Sequence, residues 1–145
     1  MYRNILVTTD GSEFSERAFA HAVELAKVSK ARLTAVTVTA PLEYIAFEGV
    51  VYPDDPERFK QITTAHAEAA LDAVANVARV AGVECERVHI ENPYPYEGII
   101  ATAKEKGCDL IVMASHGRRG LSALLLGSET QKVLTHSTIP VLVYR

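Results

Sequence analysis

Apolar residues fall along this chain in two alternating rhythms. Residues 4–9 (NILVTT), 32–39 (RLTAVTVT), 85–90 (CERVHI), 109–114 (DLIVMA) and 139–144 (IPVLVY) are short runs rich in apolar and β-branched residues. Such runs predict strands, and those lacking polar alternation predict strands covered on both faces. Between them, apolar positions recur at helical spacing. Phe14, Ala18, Ala22, Leu25 and Ala26 predict a helix from Ser12 or Glu13 to residue 30, with Ser12 as N-cap and Lys27 and Lys30 near its C-terminus. Ile62, Ala65, Ala69, Leu71, Ala73, Val77 and Val80 predict the apolar face of a long helix over 57–81 that stops at Gly82. Residues 96–106 and 128–136 predict two shorter helices, the last with a capping box of Ser128 and Gln131. Residues 42–56, which hold Pro53 and Pro56 and show no clean period, predict a surface loop with Tyr44, Phe47 and Tyr52 exposed.

Five strands alternating with four helices predict a three-layer α/β fold, a parallel sheet with helices on both faces, because each right-handed crossover needs a helix to cover the sheet. The uniformly apolar run 109–114 belongs near the sheet centre. Ligands of such sheets bind beyond the carboxyl ends of the strands, where the strand order reverses. If the first and fourth strands are neighbours, Asp10 and the loop after Ala114 face one crevice.

Composition narrows the class. At 145 residues, residues 1–145 predict a single domain, and 48% apolar with 23% charged residues is ordinary for a globular protein. A net charge of −3 gives no basic surplus for nucleic acid, and no stretch reaches the length of a membrane span. The opening residues lack a signal-peptide pattern, so the expected location is the cytoplasm. Cys85 and Cys108 are far apart and predict buried free thiols rather than a redox pair or a zinc cluster.

The chemistry concentrates in residues 113–130, MASHGRRGLSALLLGSET. Gly117 and Gly120 let the backbone bend and approach a ligand, and Gly127-Ser128 opens a helix whose free N–H groups favour an anion. A phosphate is the expected guest. Arg118 and Arg119 can add charge-assisted contacts, and the Ser128 hydroxyl can cap the helix or bond a phosphate. The same glycines can equally serve loop turns alone. Neither a Walker sequence nor GxGxxG is present. His116 has no Ser/His/Asp series or metal-ligand spacing around it, so it reads as a support for backbone groups and no catalytic residue is assigned.

The loop resembles the ATP-binding signature of the universal stress protein family: Gly, two residues, Gly, nine residues, Gly, then Ser or Thr. Here Ala114 replaces the first glycine, Gly117 follows after Ser115-His116, and Gly127 and Ser128 follow after the nine residues 118–126. The opening NILVTTDGSEFSERAFAHAVELA and the ending THSTIPVLVYR resemble the same family. The resemblance implies a sheet of order 3-2-1-4-5, a homodimer through strand 139–144, and a site for ATP, ADP or AMP, with Mg²⁺ accompanying the nucleotide. It implies a site built from Thr8, Thr9, Asp10 and Val38 together with Met113, Ala114, His116, Gly117, Arg118, Arg119, Gly120, Gly127, Ser128, Glu129 and Thr130. By position Asp10 matches the acid near ribose and metal, and Val38 matches a residue on adenine. From the residues alone Asp10 also fits a turn or cap, and Val38 plain core. Three functions follow: a nucleotide-binding regulator, a slow ATPase or phosphotransferase, and a ligand-free dimerisation module.

Overall fold

The computed structural model describes residues 1–48, 53–117 and 125–145. The elements are β1 (Asn4–Thr8), α1 (Glu13–Ser29), β2 (Arg32–Thr39), α2 (Leu42–Phe47), α3 (Pro56–Val80), β3 (Cys85–Glu91), α4 (Pro95–Glu105), β4 (Leu110–Ala114), α5 (Ser128–His136) and β5 (Val141–Tyr144). All five strands are parallel, in the order β3-β2-β1-β4-β5. The expected α/β fold and strand order are therefore present. β1 is the middle strand, and β4 lies directly beside it with every residue buried.

The pleat assigns each strand residue to one of two cores. Ile5, Val7, Leu33, Ala35, Leu110 and Val112 point toward α1 and α3, where they pack with Phe19, Val23, Leu71 and Val74. Leu6, Val36, Ile111 and Met113 point the other way, against Ile99, Ile100 and Ala103 of α4 and Val133 of α5. Every buried strand side chain thus meets a helix, as a sheet covered on both faces requires.

Four expectations change. Residues 42–47 are the helix α2 rather than loop, so five helices stand among the described residues instead of four. Pro41 starts this turn as well as stopping β2: the N–H groups of Tyr44 and Ile45 donate to its carbonyl at 3.1 and 3.2 Å. Helix α3 begins one residue early because Pro56 fits the first turn, where its missing N–H is no loss, and Asp55 caps it by accepting from Arg58 N at 3.0 Å. Its buried stripe is Ala67, Ala70, Leu71, Val74 and Ala78, whereas the expected face is largely outside: Ile62 is 58%, Val77 40% and Val80 81% exposed. Small alanines on that stripe let α3 lie close to its neighbours around Leu71 and Val74. The fourth change is at α5, whose cap is Gly127, with Ser128 already helical. Gln131 bonds the carbonyl of Leu126 at 2.9 Å instead of closing a capping box.

Candidate functional site

β1 and β4 are paired, Ile5 to Leu110 through Val7 to Val112, so their carboxyl ends release the chain side by side. The order of the sheet reverses here, since β1 leads outward to β2 and β4 outward to β5. One crevice therefore collects the turn after β1 and the loop after β4.

The β1 side is fixed by a chain of short polar contacts. Thr9 is buried, and its hydroxyl lies 3.2 Å from the Ser15 hydroxyl inside the first turn of α1. Asp10 accepts from Ser12 N at 2.9 Å, the turn role the sequence allows, and Ser12 in turn caps α1 through Ser15 N. The Asp10 carboxylate also lies against the loop after β4: a Cβ on Gly117 would sit 3.0 Å from Asp10 Oδ2. A side chain at Gly117 would press on the acid, so glycine eases this close approach.

On the β4 side the strand ends at Ala114, which is buried and lies outside the left-handed region. By strand alternation its methyl falls on the side of Val112, facing α1, so alanine at this position leaves the Met113 face untouched. The Ala114 carbonyl accepts from the Thr130 hydroxyl at 2.9 Å, and the Ser115 carbonyl from Gly127 N at 2.7 Å. These two bonds clamp the start of α5 onto the end of β4. A Cβ on Gly127 would stand 3.1 Å from the Ser115 carbonyl oxygen, a tight contact that glycine avoids at the clamp. His116 is buried, its Nδ1 is 2.9 Å from Ser115 Oγ, and its ring packs on Phe14. Among the described residues no side chain caps α5, whose N-cap Gly127 has none to offer, and Ser128 is exposed in its first turn. An uncapped helix start facing a crevice suits an anion.

The pleat separates the remaining residues. Thr8, Val38 and Met113 fall on the α4/α5 side, Met113 buried in that core and Thr8 and Val38 half-buried at its upper rim. Thr9 falls on the α1 side, where its hydroxyl meets Ser15. Glu129 turns away: its Oε2 accepts from Tyr96 N at 3.1 Å, closing the start of α4, which its own N-cap Tyr94 leaves uncapped, and its Oε1 meets Lys132. Thr130 is buried in the clamp. Arg118, Arg119 and Gly120 lie outside the described residues. Among the described residues no group of three or more His, Cys, Asp or Glu side chains could hold a metal ion.

The sequence reading missed Gly98, whose added Cβ would lie 3.2 Å from Val38 Cγ2; this close approach sets Val38 against α4. A lone glycine inside a helical pattern was the available signal. It also missed the linking roles of Ser15 and Ser115, which no motif marks.

The whole chain, residues 1–145, matches the model of the universal stress protein family. It is 37% identical over its full length to the universal stress protein YxiE of Bacillus subtilis, covering all of that protein as well. Among solved structures, that of hypothetical protein MJ0577 superposes with a TM-score of 0.81 at 28% identity, covering 99% of this chain and 95% of that one. A universal stress protein crystallised in complex with cAMP superposes with a TM-score of 0.73 at 26% identity, covering 99% and 97%. The chain belongs to the universal stress protein family.

Proposed function

We propose that this protein binds an adenine nucleotide at the carboxyl ends of β1, β2 and β4 and uses the bound state to set the shape of the loop that follows β4, acting in the cytoplasm as a regulatory homodimer. The observation that carries the reading is the crevice itself: the Asp10 carboxylate against Gly117, with the uncapped start of α5 clamped beside them. The cAMP complex of a related chain supports an adenine nucleotide as the class of guest. In this reading phosphates meet Gly117 and the Gly127-Ser128 helix end, ribose lies near Asp10, and adenine lies near Val38 on the rim that Thr8 and Met113 share. ATP, ADP and AMP all present these groups. Mg²⁺ would arrive on the phosphates with Asp10 as its protein carboxylate, since Mg²⁺ is commonly held by one or two carboxylates plus substrate phosphates. No catalytic residue is assigned.

Calorimetric titration of ATP and AMP into protein stripped of ligand is expected to show saturable binding that Gly117→Val abolishes. Absence of binding by the unmodified chain at about 1 mM nucleotide would defeat the reading. The homodimer rests on β5, a half-buried edge strand that pairs with β4 alone and leaves its other side open. Light scattering is expected to give a dimer mass that Val141→Lys lowers, and a monodisperse monomer for the unmodified chain would remove the dimer from the proposal.

A further inference from the structure

Resting on the nucleotide reading above, we propose that Tyr44 and Tyr94 are the base-recognition element of the crevice: a ring pair over the carboxyl end of β2 that stacks on the purine and makes affinity depend on the base as well as on the phosphates. The pair adds α2 and the turn into α4 to a site otherwise built from β1, β2, β4 and α5.

Both rings are tied to the backbone that leaves Val38. The Thr39 carbonyl accepts from Asn92 N at 3.0 Å, and Asn92 Oδ1 accepts in turn from Tyr94 N at 2.8 Å, so Tyr94 is fastened to the end of β2 through one residue. On the other side Tyr44 N donates to the carbonyl of Pro41, two residues beyond Thr39, at 3.1 Å. The rings meet edge to face, with centroids 5.8 Å apart and planes at 68°. They therefore bridge α2 and α4 across the segment that follows Val38.

The floor beneath them comes from the same elements. Val38 and Ile90 are partners across β2 and β3. Gly98 lies one helical turn past Tyr94, and a Cβ there would stand 3.2 Å from Val38 Cγ2 and 3.5 Å from Ile90 Cγ2. The first turn of α4 thus sits on the two aliphatic side chains at the strand ends and carries Tyr94 beside them. An aliphatic floor with an aromatic cover suits a flat base, which buries apolar area on one face and stacks on a ring with the other.

The pair is not spent on packing. Of the two tyrosines at the start of α4, Tyr96 is committed to α5: its ring lies 4.9 Å from that of His136, and Lys132 Nζ stands 5.8 Å from its centroid. Tyr94 meets α2 instead and keeps 45% of its surface exposed. The Tyr44 hydroxyl donates to Glu48 on its own helix at 2.9 Å, which holds that ring as the wall on which Tyr94 leans. An edge-to-face contact uses one edge and one face, so the pair retains a ring face for a third partner.

Calorimetric titration of the full chain with AMP and with ribose 5-phosphate, which share the sugar phosphate and differ in the base, tests this. The unmodified chain is expected to bind AMP at least about tenfold more tightly than ribose 5-phosphate. Tyr94→Ala should weaken AMP binding about tenfold, the size of one lost base–ring stack, and leave ribose 5-phosphate within about twofold. Tyr94→Phe, which keeps the ring, should bind AMP within about twofold of the unmodified chain. Tyr44→Ala should cost AMP less, about threefold, because it removes the wall behind the stacking ring. Amide chemical shifts give a second readout: saturating AMP is expected to move Tyr44, Tyr94 and Gly98, and ribose 5-phosphate to leave them in place. The proposal is overturned if Tyr94→Ala binds AMP as tightly as the unmodified chain, if it weakens both ligands equally, as loss of a structural latch would, or if AMP leaves the Tyr44 and Tyr94 amides unmoved. AMP binding that survives Tyr94→Ala undiminished removes this role alone and leaves the nucleotide reading standing, whereas an unmodified chain that binds no AMP removes both.

Discussion

The two ends of the sheet are built for charge in opposite ways. At the carboxyl end the fold offers oriented backbone: an uncapped helix start, two glycines at close approach and a single acid, Asp10, held by Ser12 N. At the amino end it offers side chains, with Lys27 in the last turn of α1 and Lys30 at its left-handed cap, beside the helix carbonyls. Preorganised backbone donors are sensitive to a misplaced Cβ and little affected by salt, whereas exposed side-chain charge tolerates substitution of shape and fades as ionic strength rises. Substitutions that separate shape from charge therefore distinguish the two ends.

The largest effect is expected at Gly127. Valine there drives its side chain into the Ser115 carbonyl, a backbone atom that cannot step aside, so chemical denaturation should show a loss of about 3 kcal/mol along with loss of nucleotide binding. Gly117→Val is the sharper partner experiment. Gly117 is exposed and, among the described residues, its Cβ would meet the end of the Asp10 carboxylate alone, so stability should change by less than about 1 kcal/mol while nucleotide binding disappears. Equal destabilisation by the two valines would show that the carboxyl-end glycines serve folding alone.

Asp10→Ala ranks next. It removes the acceptor of Ser12 N and the one acid of the crevice, and is expected to weaken nucleotide binding about tenfold and stability by about 1 kcal/mol, read by calorimetry and denaturation. At the other end Lys30→Gly should move stability the opposite way, up by as much as about 1 kcal/mol, because glycine takes the left-handed position freely. A loss of stability there would mean that the lysine is held by contacts and not by its charge. Ala114→Gly is smaller still. The methyl sits on the α1 side at ordinary backbone angles, so restoring the family glycine should leave nucleotide affinity within about threefold, and any change in stability should follow the entropy of glycine in a strand.

The smallest effect concerns pH. Burial pushes the Cys85 and Cys108 thiols up, so the folded chain holds these protons to higher pH than the unfolded chain does. Their contribution is whole below the unfolded thiol value of about 8.5 and is lost as pH rises through the raised folded values. Stability should decline across that alkaline window, and Cys108→Ala should flatten the decline. An unchanged slope would mean that the thiols titrate alike in both states.

Much of this was legible in the chain. Strand positions, the βα alternation and the order implied by family resemblance all hold, because an unbroken apolar run has few ways to be buried except inside a covered sheet. The places of Asp10 after β1, Gly117 after β4 and Gly127 before α5 were legible for a similar reason: turn residues at element ends carry their conformational preference with them. The face of α3 was not. Alanine surrounds that helix on every side, and composition gives no contrast between Ala65, which is exposed, and Ala67, which is buried. Helix α2 was hidden because six residues are too few to show a period.

Sequence by itself determined where the strands and the longer helices fall to within a residue or two and which strand ends carry a turn, since these follow from local backbone preference and the spacing of apolar residues. Tertiary structure alone decided what meets what. It turned Thr9 inward to Ser15, sent Glu129 to the start of α4, and brought the Arg32 side chain to the Lys106 carbonyl at the end of α4. The physical reason is that a strand's pleat and a sheet's order act between residues far apart in the chain, and neither is written at any single position.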